Sequence, residues 1–100
     1  MEITVQELKS KLDNKEDFVL IDVREPYEYD EFNLKGKLIP LGDLMPALAE
    51  MEDLKEKEIV VHCRSGKRSA MAQHIMQQAG FSNVANLKGG VLAWQDAFGA

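Results

Sequence analysis

The sequence predicts an α/β fold: a small three-layer domain with a mainly parallel central sheet and helices on both faces. Short apolar runs that suit buried strands alternate with segments whose apolar residues recur at helical spacing. Alternation of this kind gives parallel strands joined by right-handed crossovers. The chain has 100 residues, of which 45% are hydrophobic and 29% charged, so we expect a single domain with one core over residues 1–100.

The N-terminal region predicts a helix followed by a buried strand. Thr4 and Glu7 have the spacing of a capping box, and apolar residues follow at helical intervals, so a helix is expected over residues 4–13. The continuous apolar run 18–21 ends at Asp22 and is typical of a strand buried on both faces of a parallel sheet.

Two further helices are predicted before the next strand. Residues 25–32 are rich in charge and carry an early proline, which the first turn of a helix tolerates. Leu44, Leu48 and Met51 follow one another at spacings of four and three, which predicts an amphipathic helix over residues 43–51.

The second half begins with a β-branched strand at residues 59–61, which leads through His62 into Cys63. Ser69 is placed to cap the next helix, which is expected to reach residue 79, and Gly80 is placed to end it in a left-handed turn.

The chain is predicted to close with a short strand and a helix. Residues 84–87 form the strand, Gly89 and Gly90 form a turn, and residues 91–98 form a helix with Trp94 in the core. Four methionines at helical spacings are also expected in the core: Met45, Met51, Met71 and Met76.

Composition excludes several classes of function. A formal net charge of −5 argues against general nucleic-acid binding, which needs a surplus of cations. No apolar run approaches the roughly 18 residues that span a bilayer, and the N-terminus lacks a signal-peptide pattern, so we expect a cytoplasmic protein without a membrane partner. One cysteine and two histidines provide neither an internal disulfide nor a structural zinc site, and no metal or organic cofactor is expected.

The strongest functional signal is one loop, here called the cysteine loop, between the strand at 59–62 and the following helix. It contains three cations and a glycine within six residues: Cys63, Arg64, Ser65, Gly66, Lys67 and Arg68. A tight loop before a helix can direct successive N–H groups inward to bind an anion, with glycine at a positive φ. Such surroundings lower a cysteine pKa from about 8.5 toward roughly 3.5–7.5. The sequence therefore predicts a thiolate nucleophile in an anion-binding loop.

Several alternatives remain open at this point. A lone cysteine after a β-branched run also suits a small buried apolar residue. A cysteine followed by an arginine-ended loop is also the signature of cysteine phosphatases and arsenate reductases, although these place five residues between the two and this chain has four. A P-loop is disfavoured because Arg68 stands where Ser or Thr belongs, and thioredoxin-like exchange is disfavoured because no resolving cysteine is present.

Three segments of the chain resemble the signature blocks of single-domain rhodanese-like proteins, the sulfurtransferase family. These are residues 19–29 (VLIDVREPYEY), 60–69 (VVHCRSGKRS) and 87–94 (LKGGVLAW). They occur in the family's order, and the resemblance covers nearly the whole chain. It implies that Cys63 carries a persulfide, that Arg64 and Lys67 face an anionic substrate, and that Arg68 braces the loop through an acidic residue.

The resemblance also implies supporting residues, and the chain departs from the family pattern in one segment. Asp22 and Arg24 are expected to form hydrogen bonds near the loop. His62 alternates with Cys63 along the strand and is therefore expected to point away from the thiol. Where the family usually has a Gly-His-Ile-Pro stretch, Asn33 replaces the histidine and the segment 34–40 looks one residue short. The surface beside the site is therefore expected to differ.

The function implied is a ping-pong sulfur transfer. A sulfane sulfur would pass from thiosulfate or a persulfide donor to Cys63, and then to a small-molecule or protein thiol acceptor, with cyanide as the assay acceptor. The alternative from another class is a non-catalytic rhodanese-like binding module. Such modules commonly lack the cysteine or the loop cations, which this chain retains.

Overall fold

The computed structural model describes residues 1–99 and has an α/β architecture with a five-stranded, all-parallel sheet. The strands are β1 (Glu2–Ile3), β2 (Val19–Asp22), β3 (Lys37–Leu38), β4 (Ile59–His62) and β5 (Val84–Leu87). Their order across the sheet is β1-β5-β4-β2-β3, so β4 is the central strand. This arrangement confirms the predicted fold class.

Within residues 1–99, four α-helices and two short 3-10 turns lie between the strands, and a fifth α-helix follows the last strand. The helices are α1 (Val5–Asp13), α2 (Pro26–Glu31), α3 (Leu44–Leu48), α4 (Lys67–Gln78) and α5 (Gly90–Phe98), and the 3-10 turns are Leu41–Asp43 and Glu52–Leu54. The pair α1 and α5 packs on one face of the sheet and the pair α3 and α4 on the other. Within residues 1–99, no helix has the length and apolar character needed to cross a membrane.

Each face of the sheet buries its own apolar cluster. The cluster beneath α3 and α4 contains Ile59, Val61 and Cys63, whereas Val60 belongs to the cluster beneath α1 and α5. Successive residues of a strand point to opposite faces, so the alternation along β4 places His62 on the side opposite Cys63. The predicted orientation of His62 away from the thiol agrees with this geometry.

The elements with a strong local signal form as predicted. In α1, the Glu7 N–H donates to Thr4 Oγ1 at 3.1 Å and the Thr4 N–H donates to Glu7 Oε1 at 2.9 Å, which completes the capping box. The strands β2, β4 and β5 and the helices α2 and α5 lie within one residue of their predicted bounds. Gly80 ends α4 with φ 96°.

Three expectations about the segment 43–51 and the methionines are wrong. The helix predicted over 43–51 is only α3, preceded by a 3-10 turn, and Met51 is buried beyond its end. Met45 and Met71 are 69% and 54% exposed and are not core residues. Each directly precedes or follows a fully buried residue of the same helix, about 100° away around the axis, and therefore faces solvent. The edge strands β1 and β3 were not predicted, because two residues are too few for a periodic signal.

Candidate active site

The cysteine loop follows the carboxyl end of β4, the central strand, where open parallel sheets place their ligand sites. Gly66 has φ 106°, which lets the chain turn sharply before α4 begins at Lys67. Ser69 is therefore not the helix cap, as the sequence suggested. It lies in the first turn of α4, fully buried, against the thiol.

Two backbone N–H groups and one hydroxyl group surround the Cys63 sulfur, at the bottom of the loop. The N–H groups of Gly66 and Ser69 lie 3.1 Å and 3.4 Å from Sγ, and the Ser69 hydroxyl oxygen lies 3.3 Å from it. Cys63 is only 1% exposed. Burial raises the pKa of the thiol, but hydrogen bonds from Ser69 and from the N–H groups of Gly66 and Ser65 outweigh it, and the pKa is lowered from its ordinary value.

A residue that the sequence reasoning missed completes this network. Asn86 on β5 is 5% exposed, and its Oδ1 lies 2.6 Å from Ser69 Oγ. Its Nδ2 donates to the Gly66 carbonyl at 3.1 Å. Asparagine is uncommon in a fully buried strand. A polar residue within Val84–Leu87 was therefore the sequence signal that could have identified Asn86 as a site residue.

The loop cations have two different environments. Arg68 forms two hydrogen bonds to the Glu28 carboxylate, at 2.7 Å and 2.9 Å. The pair lowers the pKa of Glu28 to about 2 and raises the pKa of Arg68. Arg64 and Lys67 are exposed and form no salt bridge within residues 1–99. Arg68 is thus already paired with a carboxylate of the domain, while Arg64 and Lys67 are available to a bound anion.

Asp22 and Arg24 form a buried ion pair at the end of β2. The Asp22 carboxylate accepts the Arg24 backbone N–H at 2.9 Å and its Nη2 at 2.8 Å. Arg24 also donates to the Phe32 carbonyl at 2.6 Å. Among residues 1–99, neither side chain forms a hydrogen bond to the cysteine loop. Arg24 and Arg64 line the same cleft of about 240 Å³.

His62 lies behind this ion pair in the sheet. Its Nε2 is 3.8 Å from Asp22 Oδ2, and neither ring nitrogen has a hydrogen-bond partner in the described part of the chain. Burial lowers the pKa of His62, partly opposed by the Asp22 charge. The imidazole is therefore a neutral, structural group.

The second glycine of the Gly89-Gly90 turn brings α5 against the cysteine loop. The N–H groups of Val91 and Leu92 donate to the carbonyls of Cys63 and Arg64, both at 3.0 Å. Gly90 has φ 57°, and a Cβ there would lie 2.5 Å from the Cys63 carbonyl oxygen. Only glycine allows this approach.

The departure at Asn33 is accommodated at the sheet edge. Asn33 Nδ2 donates to the Tyr29 carbonyl at 3.0 Å, and Asn33 Oδ1 accepts the Lys35 N–H at 2.9 Å. The residues that follow form β3. Within residues 1–99, no hydrogen bond joins segment 33–40 to the cysteine loop. The same described residues contain no group of three His, Cys, Asp or Glu side chains that could hold a metal ion.

The family model for the rhodanese-like domain matches residues 4–97. The chain belongs to the rhodanese-like family. A crystal structure of a rhodanese-related protein from Thermoplasma volcanium superposes on this rhodanese-like domain with a TM-score of 0.83 and 26% identity, over 97% of this chain and 92% of that one.

Relatives among curated proteins carry sulfurtransferase names. A protein named Sulfurtransferase from Allochromatium vinosum is 35% identical over 94 residues, covering 93% of this chain and 86% of its own length. The probable adenylyltransferase/sulfurtransferase MoeZ of Mycobacterium tuberculosis (strain CDC 1551 / Oshkosh) is 37% identical over 93 residues, or 92% of this chain. This chain spans 24% of MoeZ. The family membership supports a sulfurtransferase assignment for the domain.

Proposed function

We propose that this rhodanese-like domain is a sulfurtransferase that carries a sulfane sulfur as a persulfide on Cys63. The observation that carries the proposal is the set of groups around the thiol that can donate hydrogen bonds to a thiolate: the N–H groups of Gly66 and Ser69 and the Ser69 hydroxyl all lie within 3.4 Å of Sγ. Preorganised donors of this kind stabilise negative charge on the attacking sulfur.

The first half of the reaction loads the enzyme. The Cys63 thiolate attacks the outer sulfur of thiosulfate, the S–S bond of the donor breaks, and sulfite leaves with the electron pair. With a protein persulfide as donor, the leaving group is the donor's thiolate. Arg64 and Lys67 supply positive charge for either anion.

The second half transfers the sulfur to an acceptor nucleophile. The acceptor attacks the outer sulfur of the persulfide, and Cys63 leaves as a thiolate. The outer sulfur of the persulfide extends beyond the buried Sγ by the length of a disulfide-type bond, about 2.05 Å. Because Cys63 itself is 1% exposed, this extension favours transfer to a small thiol, to a narrow protein terminus or, in the assay, to cyanide.

The position of Arg68 argues against phosphatase chemistry. A cysteine phosphatase needs the arginine at the end of the loop to bind phosphate oxygens, but here that guanidinium forms a bidentate pair with Glu28. The loop between Cys63 and Arg68 is also one residue shorter than the phosphatase loop. Both features argue against a loop that surrounds a phosphate group.

Intact mass spectrometry tests the proposal directly. The native chain and a Cys63→Ser variant are incubated with thiosulfate, measured, then treated with cyanide and measured again. We expect the native chain to gain one sulfur atom, the variant to gain none, and cyanide to remove the added sulfur as thiocyanate.

Other outcomes assign other functions. A thiol that is alkylated at neutral pH but takes no sulfur from thiosulfate or from a protein persulfide would contradict sulfur transfer, and hydrolysis of an aryl phosphate would then indicate a phosphatase. A thiol inert to all of these reagents would indicate a non-catalytic binding module.

A further inference from the structure

The Ser69 hydroxyl contacts two acceptors but has only one hydrogen. Its oxygen lies 2.6 Å from Asn86 Oδ1 and 3.3 Å from Cys63 Sγ. A hydroxyl donates one hydrogen bond and accepts through its lone pairs. Ser69 can therefore donate either to the asparagine or to the sulfur, but not fully to both.

The orientation of the Asn86 amide is fixed by its second contact. Nδ2 faces the Gly66 carbonyl at 3.1 Å, and exchanging the two amide atoms would place two acceptor oxygens against each other. Oδ1 therefore faces Ser69 as an acceptor without a hydrogen. At 2.6 Å, the Ser69 hydroxyl must donate to it in this arrangement.

We propose that Asn86 is a positioning residue that competes with the Cys63 sulfur for the single hydrogen of the Ser69 hydroxyl. While the hydroxyl donates to Asn86, its lone pair faces the sulfur and can accept the S–H of a neutral thiol. When the sulfur is a thiolate, the hydroxyl turns to donate to it and leaves Asn86 Oδ1 without this donor. Asn86 thus limits how strongly Ser69 stabilises the thiolate.

This inference rests on the proposed function for its purpose, because it assigns Asn86 a place in the sulfur cycle. Once a persulfide forms, the negative charge lies mainly on the outer sulfur, and the Ser69 hydroxyl can return to Asn86. A thiolate that is less stabilised is also a stronger nucleophile. The competition therefore makes the Cys63 thiolate a stronger nucleophile at the expense of its stability.

Other charged groups near the thiol are unaffected by the Asn86 contact. Arg64 and Lys67 are exposed beside the loop, Arg68 is paired with Glu28, and β5 contributes no charged side chain. On the opposite side of β4, the neutral His62 lies against the Asp22 and Arg24 ion pair. A change at Asn86 therefore alters the thiol mainly through Ser69 and through the Gly66 carbonyl.

These two routes predict shifts of the thiol pKa in opposite directions. Without Oδ1, the Ser69 hydroxyl is free for the thiolate, and the thiol pKa falls by about one unit, a tenfold gain in the thiolate-to-thiol ratio at a given pH. Without Nδ2, the loop loosens, the N–H donors lose their alignment, and the thiol pKa rises. The sign of the shift separates positioning of Ser69 from a purely structural role.

The experiment measures the rate of Cys63 alkylation by iodoacetamide against pH in the full chain. The variants are Asn86→Ala, Ser69→Ala and the double variant, with Gln73→Ala as a matched control. Gln73 is another amide that joins α4 to β5, through the Val84 carbonyl at 2.9 Å, but it has no contact with the sulfur. Asn86→Leu, which keeps the branched shape of the side chain without its polar atoms, is a second variant in case alanine prevents folding.

We expect the thiol pKa to fall in Asn86→Ala, to rise in Ser69→Ala, and to show no fall when Asn86→Ala is added to Ser69→Ala. A rise or no change in the single Asn86 variants would overturn the proposal, as would a fall that persists without Ser69. Loss of folding in both Asn86 variants would assign the residue to the fold instead. No sulfur donor is used, so failure of the proposed sulfur transfer would appear only in the mass experiment.

Discussion

At the scale of single residues, Arg68 and Arg64 show how the same side chain takes different roles within one loop. Both terminal nitrogens of the Arg68 guanidinium donate to Glu28, forty residues earlier in the chain, whereas Arg64 is exposed. A bidentate pair fixes orientation as well as charge. Arg68 therefore holds the first turn of α4 against α2, and Arg64 remains available to an anion.

The Arg68 and Glu28 pair gives a pH-dependent prediction. We expect Glu28→Gln to lower the free energy of unfolding by about 1 kcal/mol at neutral pH, a modest value because Arg68 is 35% exposed and its charge is screened. The folded pKa of Glu28 is about 2 against an ordinary value of 4.5. The pair's contribution is therefore complete above pH 4.5 and is lost as the pH falls through 2.

Urea unfolding of the native chain and the glutamine variant at several pH values measures this difference. The gap between the two curves should close between pH 4.5 and 2. A gap that stays constant over this interval would show that the carboxylate charge is not what the variant removes.

At this scale, the sequence reveals what is contiguous. Cys63 and its three cations lie within one hexapeptide, so their proximity could be predicted without a structure. Glu28 and Asn86 lie far from the loop in sequence and reach it only through the fold. The role of Ser69 was misassigned because a helix cap and a buried first-turn residue have the same sequence signal.

At the scale of elements, the contact between α5 and the cysteine loop depends on the absence of a side chain at Gly90. Gly90 starts the helix at φ 57° and lies so close to the loop that an added Cβ would be 2.5 Å from one carbonyl oxygen and 2.6 Å from the next. Both carbonyls belong to the loop, at Cys63 and Arg64. Any displacement of α5 therefore moves the backbone that shapes the site.

We expect Gly90→Ala to lower the free energy of unfolding by roughly 2–3 kcal/mol, because it adds both a steric clash and a strained φ. It should also slow sulfur loading of Cys63. Gly42→Ala is the matched control, since nothing lies within 4 Å of its added Cβ and its φ is not positive. Chemical unfolding and the mass assay measure the two effects. Equal stability of the two variants would contradict the close approach at Gly90.

The elements that the sequence predicted well are those with a repeated or capped pattern. The capping box of α1 and the apolar runs of β2 and β4 each specify their structure locally. The helix over 43–51 failed because leucine spacing alone does not fix a length, and the chain leaves α3 after five residues.

At the scale of the whole molecule, a neutral histidine is buried in the central strand. His62 is fully buried, and its pKa is lowered, mainly by burial. As the pH falls through about 6.5, histidine in the unfolded chain binds a proton before His62 in the folded chain does. The unfolded state then binds more protons, so the stability of the fold decreases with decreasing pH.

We expect the free energy of unfolding to fall between about pH 7.5 and 5.5, and His62→Gln to reduce this slope. His74→Gln, which changes the exposed histidine on α4, should retain the slope. Urea unfolding at three pH values within this interval is sufficient. An unchanged slope in His62→Gln would assign the pH dependence to other groups.

The two edges of the sheet, β1 and β3, are each two residues long. A strand of this length presents very few unpaired backbone groups, so it is a poor template for the addition of another strand. Neither edge of the sheet therefore favours the addition of another strand, although the sheet does not form a barrel. A domain with such edges can stand next to other sheet-containing domains in a longer polypeptide and keep its own strand pairing.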